Sequence, residues 1–210
     1  MSLNYVIRFF GVIRMDRNIR LYDEPSRAKK VVIEGIVLLV ILVIAAGLAF
    51  LLVHFCTDQI KMPGKSMQET LEEGDLLLIN TVAYKLGNPR RGDVIVYQAE
   101  DTGAFSVKRV VGLPGDTVQI KEGKLYVNNT EYAETTKVDL MQSSGLASEA
   151  IVIPEEMYFV LGDNRNNSED SRFASVGNIK RSQILGKAYL RLSPKFNFID
   201  KLGLEGKNGD

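Results

Sequence analysis

The chain carries a single cysteine, Cys56, a single histidine, His54, and no net charge over its 210 residues. One thiol excludes an internal disulfide and any cysteine-based metal cluster, so the fold must rest on its core. Basic and acidic residues balance at 26 each, leaving no global field to attract nucleic acid. A Ser-His-Asp triad would have to use His54, which stands at the end of a long apolar run, a poor setting for a catalytic imidazole. No phosphate loop is present, and no cofactor or metal is expected. Asp163, Asn164, Asn167 and Asp170 offer oxygen ligands, but the EF-hand spacing is missing and neighbouring arginines oppose a divalent cation.

What is present begins with the apolar run. Gly35 to Val53 contains no charge, and the wider stretch 31–55 is interrupted only by Glu34. At about 1.5 Å per residue it can cross a hydrocarbon core roughly 30 Å thick. Valine, leucine and isoleucine occupy every face, which argues against a buried amphipathic helix. The run exceeds the apolar core of a cleaved signal peptide and follows a long arm, so an uncleaved anchor over 31–55 is expected. Arg14, Arg17, Arg20, Arg27, Lys29 and Lys30 precede it, whereas only Lys61 and Lys65 follow before Glu72. The positive-inside rule then places an arm, 1–30, in the cytoplasm and a domain, 56–200, outside, ending in a polar tail, 201–210. Between Asn4 and Met15, apolar residues alternate with Arg8 and Arg14, a pattern that suits either an amphipathic helix on the inner leaflet or an unstructured arm.

Beyond the anchor, short apolar runs separated by glycine-rich turns predict strands at 76–79, 94–97, 105–111, 117–120, 125–127, 157–161 and 184–192. This pattern argues for an all-β domain of antiparallel, folded-over sheets behind one N-terminal transmembrane helix. Residues 131–149, polar and aperiodic, read as a surface excursion.

Two stretches bear chemistry. In Pro63-Gly64-Lys65-Ser66-Met67-Gln68-Glu69-Thr70-Leu71, a serine sits in a glycine-containing turn, where a hydroxyl can stand clear of its backbone. The competing reading is a helix N-cap, with Glu69 as its capping-box partner. In Ser106-Val107-Lys108-Arg109-Val110-Val111, strand alternation sends the two cations to opposite faces, so one should point inward or into a cleft. The alternative is a pair of solvated edge charges.

Four blocks, in order, give the chain its resemblance to a known family. They are Ser66-Met67 with Thr70-Leu71; Gly74 to Asn80 with Arg91-Gly92-Asp93-Val94; Lys108-Arg109-Val110-Val111-Gly112-Leu113-Pro114-Gly115-Asp116; and Gly162-Asp163-Asn164-Arg165 with Ser168, Asp170, Ser171 and Arg172. The chain resembles the bacterial type I signal peptidases of the single-anchor, Ser-Lys, Gram-positive-like kind, whose β fold is related to that of self-cleaving SOS repressors. The resemblance implies a membrane-anchored serine endopeptidase that removes signal peptides from exported preproteins on the outer face of the cytoplasmic membrane, after small residues in an Ala-x-Ala pattern. Its partners would be preproteins and membrane lipid, with room for secretion machinery and none for nucleic acid.

By the same resemblance Ser66 is the nucleophile and Lys108 the general base. Ser168 would hydrogen-bond the Lys108 amine, and Asp163, Asp170 and Arg172, with Arg109, would form ion pairs holding their loop against the catalytic strand. Chemistry agrees with a lysine base only if burial lowers its pKa, because an ordinary lysine is almost wholly protonated at pH 7. A rival reading, Asp170 as catalytic acid, would raise that pKa. Two positions depart from the family pattern. Glu69 replaces a common proline. Gly64 stands where many members carry a serine that helps form the oxyanion hole, leaving the Ser66 N–H as main donor. Met62 and Met67, close to Ser66, would touch lipid, line the cleft or pack in the core. The rival functions are an SOS-type repressor, which is soluble and carries a DNA-binding module, a Ser-His signal peptidase and a noncatalytic anchored binding domain.

Overall fold

The computed structural model describes residues 27–68, 70–100, 102–132, 138–194 and 196–199. The expected arm up to residue 26, the capping role of Glu69 and the tail from 201 lie outside them. The chain divides into two units, 1–50 and 51–210.

The described residues of the first unit belong to helix α1, which runs Arg27–Cys56 and is somewhat longer than the expected 31–55. Its branched and long aliphatic residues hold a helix because each peptide group is satisfied within the segment, which an apolar surrounding demands. Every residue from Lys29 to Leu51 is exposed, with no polar stripe to set against a core. It is long and apolar enough to cross a membrane.

The second unit is almost entirely antiparallel β structure, in two sheets. The larger runs in the order β1 (Thr57–Lys61), β2 (Leu76–Asn80), β11 (Ile184–Ser193), β3 (Val94–Gln98), β4 (Phe105–Gly112), β9 (Met157–Leu161) and β10 (Ile179–Lys180), with β12 (Asn197–Phe198) added to β11. The smaller consists of β7 (Thr130–Glu131), β6 (Lys124–Val127), β5 (Thr117–Lys121) and β8 (Ile151–Val152). A single helical turn, α2 (Ala83–Leu86), follows β2. All seven predicted strands form, within a residue or two at their ends. The unpredicted ones, β1, β7, β8, β10 and β12, are short or polar and carry too little periodicity to read.

Alternation along β3 and β4 separates two cores. Val94, Val96 and Val107 face a cluster with Met62, Met67, Leu71 and Leu77; Ile95, Tyr97 and Val110 face another with Tyr84, Tyr158 and Ile179. A third cluster joins the small sheet to Val111, Phe159 and Leu161. Strand β4 therefore lies at the meeting point of all three, and its two cations are buried whichever way they point. The segment 131–149 is less of an excursion than expected. Met141 and Ala147 are buried in the third cluster, and the Gln142 N–H donates to Asn166 Oδ1 at 2.9 Å. Scattered apolar residues within a polar sequence anchor it, a pattern with no period to detect.

Candidate active site

Ser66 lies in the turn between β1 and β2, entered through Gly64 at φ +67°, a backbone region that favours glycine. The turn is held from below by Met67, fully buried, whose sulfur accepts the Asp163 N–H at 3.4 Å. The Asn164 N–H donates to the Ser66 carbonyl at 3.0 Å, and Asn164 Nδ2 to the Lys65 carbonyl at 3.2 Å. Met62 is buried with Met67, so both methionines pack in the core, and neither the lipid nor the cleft reading survives.

Strand register places Lys108 opposite Ile95 and Arg109 opposite Val94, on the two faces of β4. Neither is a solvated edge charge: Lys108 is 5% exposed and Arg109 1%. The Lys108 Nζ donates to Ser66 Oγ at 2.8 Å, across 42 residues of sequence. Burial pulls the Lys108 pKa below the ordinary 10.5, against the opposing pull of the Asp170 and Glu169 carboxylates. Desolvation wins because the stem lies among apolar strand neighbours. A neutral amine at this spacing can take a proton from a hydroxyl.

Arg109 fills the other face. Its Nε and Nη2 clamp the two Asp163 carboxylate oxygens at 2.8 and 2.6 Å, and Nη1 donates to the Gly92 carbonyl at 2.8 Å. The Thr70 hydroxyl donates to the same carboxylate. Asp163 thus ties the Ser66 turn, through Thr70, to the Lys108 strand, through Arg109. Asp170 and Arg172 pair at 2.8 Å, but as neighbours within one loop. Asp170 accepts the Gly162 N–H at 3.0 Å, and Arg172 donates to the Arg165 carbonyl at 2.6 Å. The expectation that both ion pairs would hold the loop against the Lys108 strand is corrected: among the described residues only Arg109–Asp163 spans the two, and Asp170–Arg172 shapes the loop from within.

A second correction concerns Ser168. Its hydroxyl is buried and finds no hydrogen-bond partner among the described residues, so the expected bond to Lys108 is not formed. The amine is engaged by Ser66 instead, and Ser168 packs over Gly162. A Cβ on Gly162 would lie 2.1 Å from Ser168 Oγ and 2.5 Å from the Ser66 carbonyl oxygen. Three elements converge where only a glycine fits.

The Ser66–Lys108 pair opens into a cleft of about 600 Å³ lined by Gly64, Ser66, Tyr97, Ser106 and Lys108, and also by Glu100 and Lys180. Strand β4 pairs with β3 along Phe105–Arg109, but its ladder with β9 begins only at Arg109. Among the described residues, no strand covers the other edge of Phe105–Lys108. Sequence reasoning missed Asn164 and Thr70 as positioning groups. Both stand inside the motif blocks, but bonds across more than 90 residues leave no local trace.

The chain is similar to known proteins. The family profile described as signal peptidase, peptidase S26, matches residues 35–193. The chain is 35% identical over 181 residues to signal peptidase I P of Bacillus subtilis subsp. natto, covering 83% of this chain and 96% of that protein. Over 156 residues it is 36% identical to signal peptidase I T of Bacillus subtilis strain 168, covering 69% of this chain and 78% of the relative. A crystal structure of a signal peptidase I from Enterococcus faecalis V583 aligns with a TM-score of 0.41 at 32% identity, over 48% of this chain and 96% of that one.

Proposed function

The chain belongs to the signal peptidase family, peptidase S26, and is a serine endopeptidase that removes signal peptides; from that premise we propose that it does so with a Ser66–Lys108 dyad. The observation that carries this reading is the 2.8 Å contact between a buried lysine amine and the serine hydroxyl. A noncatalytic binding domain has no use for that arrangement.

Neutral Lys108 accepts the Ser66 proton as Oγ attacks the scissile carbonyl. The resulting ammonium returns the proton to the leaving amine as the peptide bond breaks, leaving an ester on Ser66. Lys108, neutral again, takes a proton from water, whose oxygen attacks the ester, and gives it back to Oγ as the acid product departs. The Ser66 N–H serves the developing oxyanion. With Gly64 in place of a serine, that site lacks one hydroxyl donor, of a kind worth about 3–4 kcal/mol elsewhere. Arg109, Asp163, Asp170 and Arg172 are positioning residues.

The uncovered edge of Phe105–Lys108 suits an extended substrate added as a strand, with shallow subsites for the small residues of an Ala-x-Ala pattern. Helix α1 acts as a single-pass anchor, with the basic N-terminal arm in the cytoplasm and the β unit outside. The test is cleavage of a purified preprotein in detergent by wild type, Ser66→Ala and Lys108→Met. Cleavage at the signal boundary, lost in both folded variants, is expected. An inert wild type, or a variant cutting at a normal rate, would overturn the dyad.

A further inference from the structure

At the far end of the cleft, Lys180 Nζ meets Glu100 Oε1 at 2.6 Å. Glu100 stands in the β3–β4 turn, where the Ala99 N–H bonds the Ala104 carbonyl at 2.9 Å and the Gly103 N–H bonds the Ala99 carbonyl at 2.9 Å. Lys180 ends β10, held by Gln183 Oε1 on its backbone N–H at 2.7 Å. The Gln183 side chain crosses the same interval to the Gln98 carbonyl at 3.4 Å. Two well-anchored backbones thus face each other over a cleft that also contains the dyad, and one ion pair joins them.

Both side chains are about half exposed, at 48% and 64%. An exposed pair of this kind contributes little stability and exchanges partners readily. From Lys108 back along β4 to Ala104, the residue just before the strand, is four residues, or about 13 Å at about 3.3 Å per residue. A peptide laid along this edge therefore presents a side chain to the pair roughly four positions from its scissile bond. A second acid in the cleft, Glu169, is already held by the Ser175 hydroxyl at 2.6 Å.

We propose that Glu100 is a specificity-determining residue that binds a basic substrate side chain about four positions from the cleaved bond, with Lys180 as the internal cation that occupies it until substrate arrives. This rests on the signal-peptidase reading of the cleft. It adds a charge preference that the Ser66–Lys108 chemistry does not require.

The experiment measures kcat/KM, at low salt and at 0.5 M salt, for a peptide set carrying Lys, Gln or Glu at each of positions three to six on either side of the cleavage point. Cleavage of the Gln peptides by wild type tests the underlying reading, and the charge ratios within each enzyme test the inference. Wild type should favour Lys over Gln by about two- to fivefold at one or two adjacent positions, as expected for an exposed ion pair, with the preference fading at high salt. Glu100→Gln should abolish the preference, Lys180→Gln should enlarge it and Glu100→Lys should invert it, each read against the same enzyme's Gln peptide. Equal rates for all three residues in wild type, or a lysine preference that persists in Glu100→Gln, would overturn the proposal. So would a glutamate preference lost in Lys180→Gln, which would make Lys180 the reader.

Discussion

Replacing Gly162 by alanine tests whether the Ser66 turn is held in place by close approach of the Gly162 loop. The new Cβ would fall 2.1 Å from Ser168 Oγ, 2.5 Å from Ser168 Cβ and 2.5 Å from the Ser66 carbonyl oxygen, all well inside contact distance. Rotating the Ser168 hydroxyl relieves the first overlap only. The other two involve a side-chain root and a backbone oxygen, the latter fixed by the Asn164 N–H at 3.0 Å. The turn must therefore move by the order of 1 Å, a displacement that costs on the order of 10²-fold in rate when it touches the reacting geometry. Overpacking itself costs about 1–3 kcal/mol, leaving most of the protein folded. Gly112→Ala is the control. Its Cβ would overlap Val118 and Phe159 side chains at 2.8 and 2.9 Å, in the core cluster of the small sheet. The assay is kcat/KM on a preprotein per folded molecule, with thermal melts of both variants. Gly162→Ala should lose about 10²-fold in activity, and Gly112→Ala should lose stability with far less effect on rate. A folded Gly162→Ala enzyme with near-normal activity would refute the argument, as would equal rate losses in the two variants.

Other outcomes follow from the same geometry. Arg109→Met should destabilise the protein by about 3–5 kcal/mol, because it leaves Asp163 buried and unpaired; denaturant melts should show Arg109→Met with Asp163→Leu to be milder than Arg109→Met alone. Thr70→Val removes a hydrogen bond to that carboxylate and should cost about 1.5–3 kcal/mol, measured the same way. Activity should rise with pH as Lys108 loses its proton, with an apparent pKa below the ordinary 10.5, read from a kcat/KM profile. Because the folded lysine is the weaker base, the unfolded chain binds more protons between the two pKa values, and stability rises with pH across that window. Lys108→Met should therefore be more stable than wild type at neutral pH, with the gap closing toward pH 10.5; urea melts showing an unchanged gap would contradict the burial argument.

The apolar run, the seven longer strands and the dyad candidates were legible in the sequence because each has a local signature: uninterrupted hydrophobicity, period-two alternation, or a motif of fixed spacing. Alternation along β4 also showed that Lys108 and Arg109 must part company. Which of the two would face a cleft was settled only by the neighbours of β4, three core clusters that no single segment reveals. Tertiary structure likewise decided that Ser66 meets Lys108, that Asp163 rather than Asp170 joins the loop to the catalytic strand, that Met62 and Met67 belong to the core and that Ser168 packs over Gly162 without reaching the amine. Each depends on contacts between residues far apart in the chain, whose geometry is set by how the sheet twists and closes. Local pattern determines which elements form and which side chains they offer. Burial and partnership, and with them the basicity of Lys108, exist only once those elements meet.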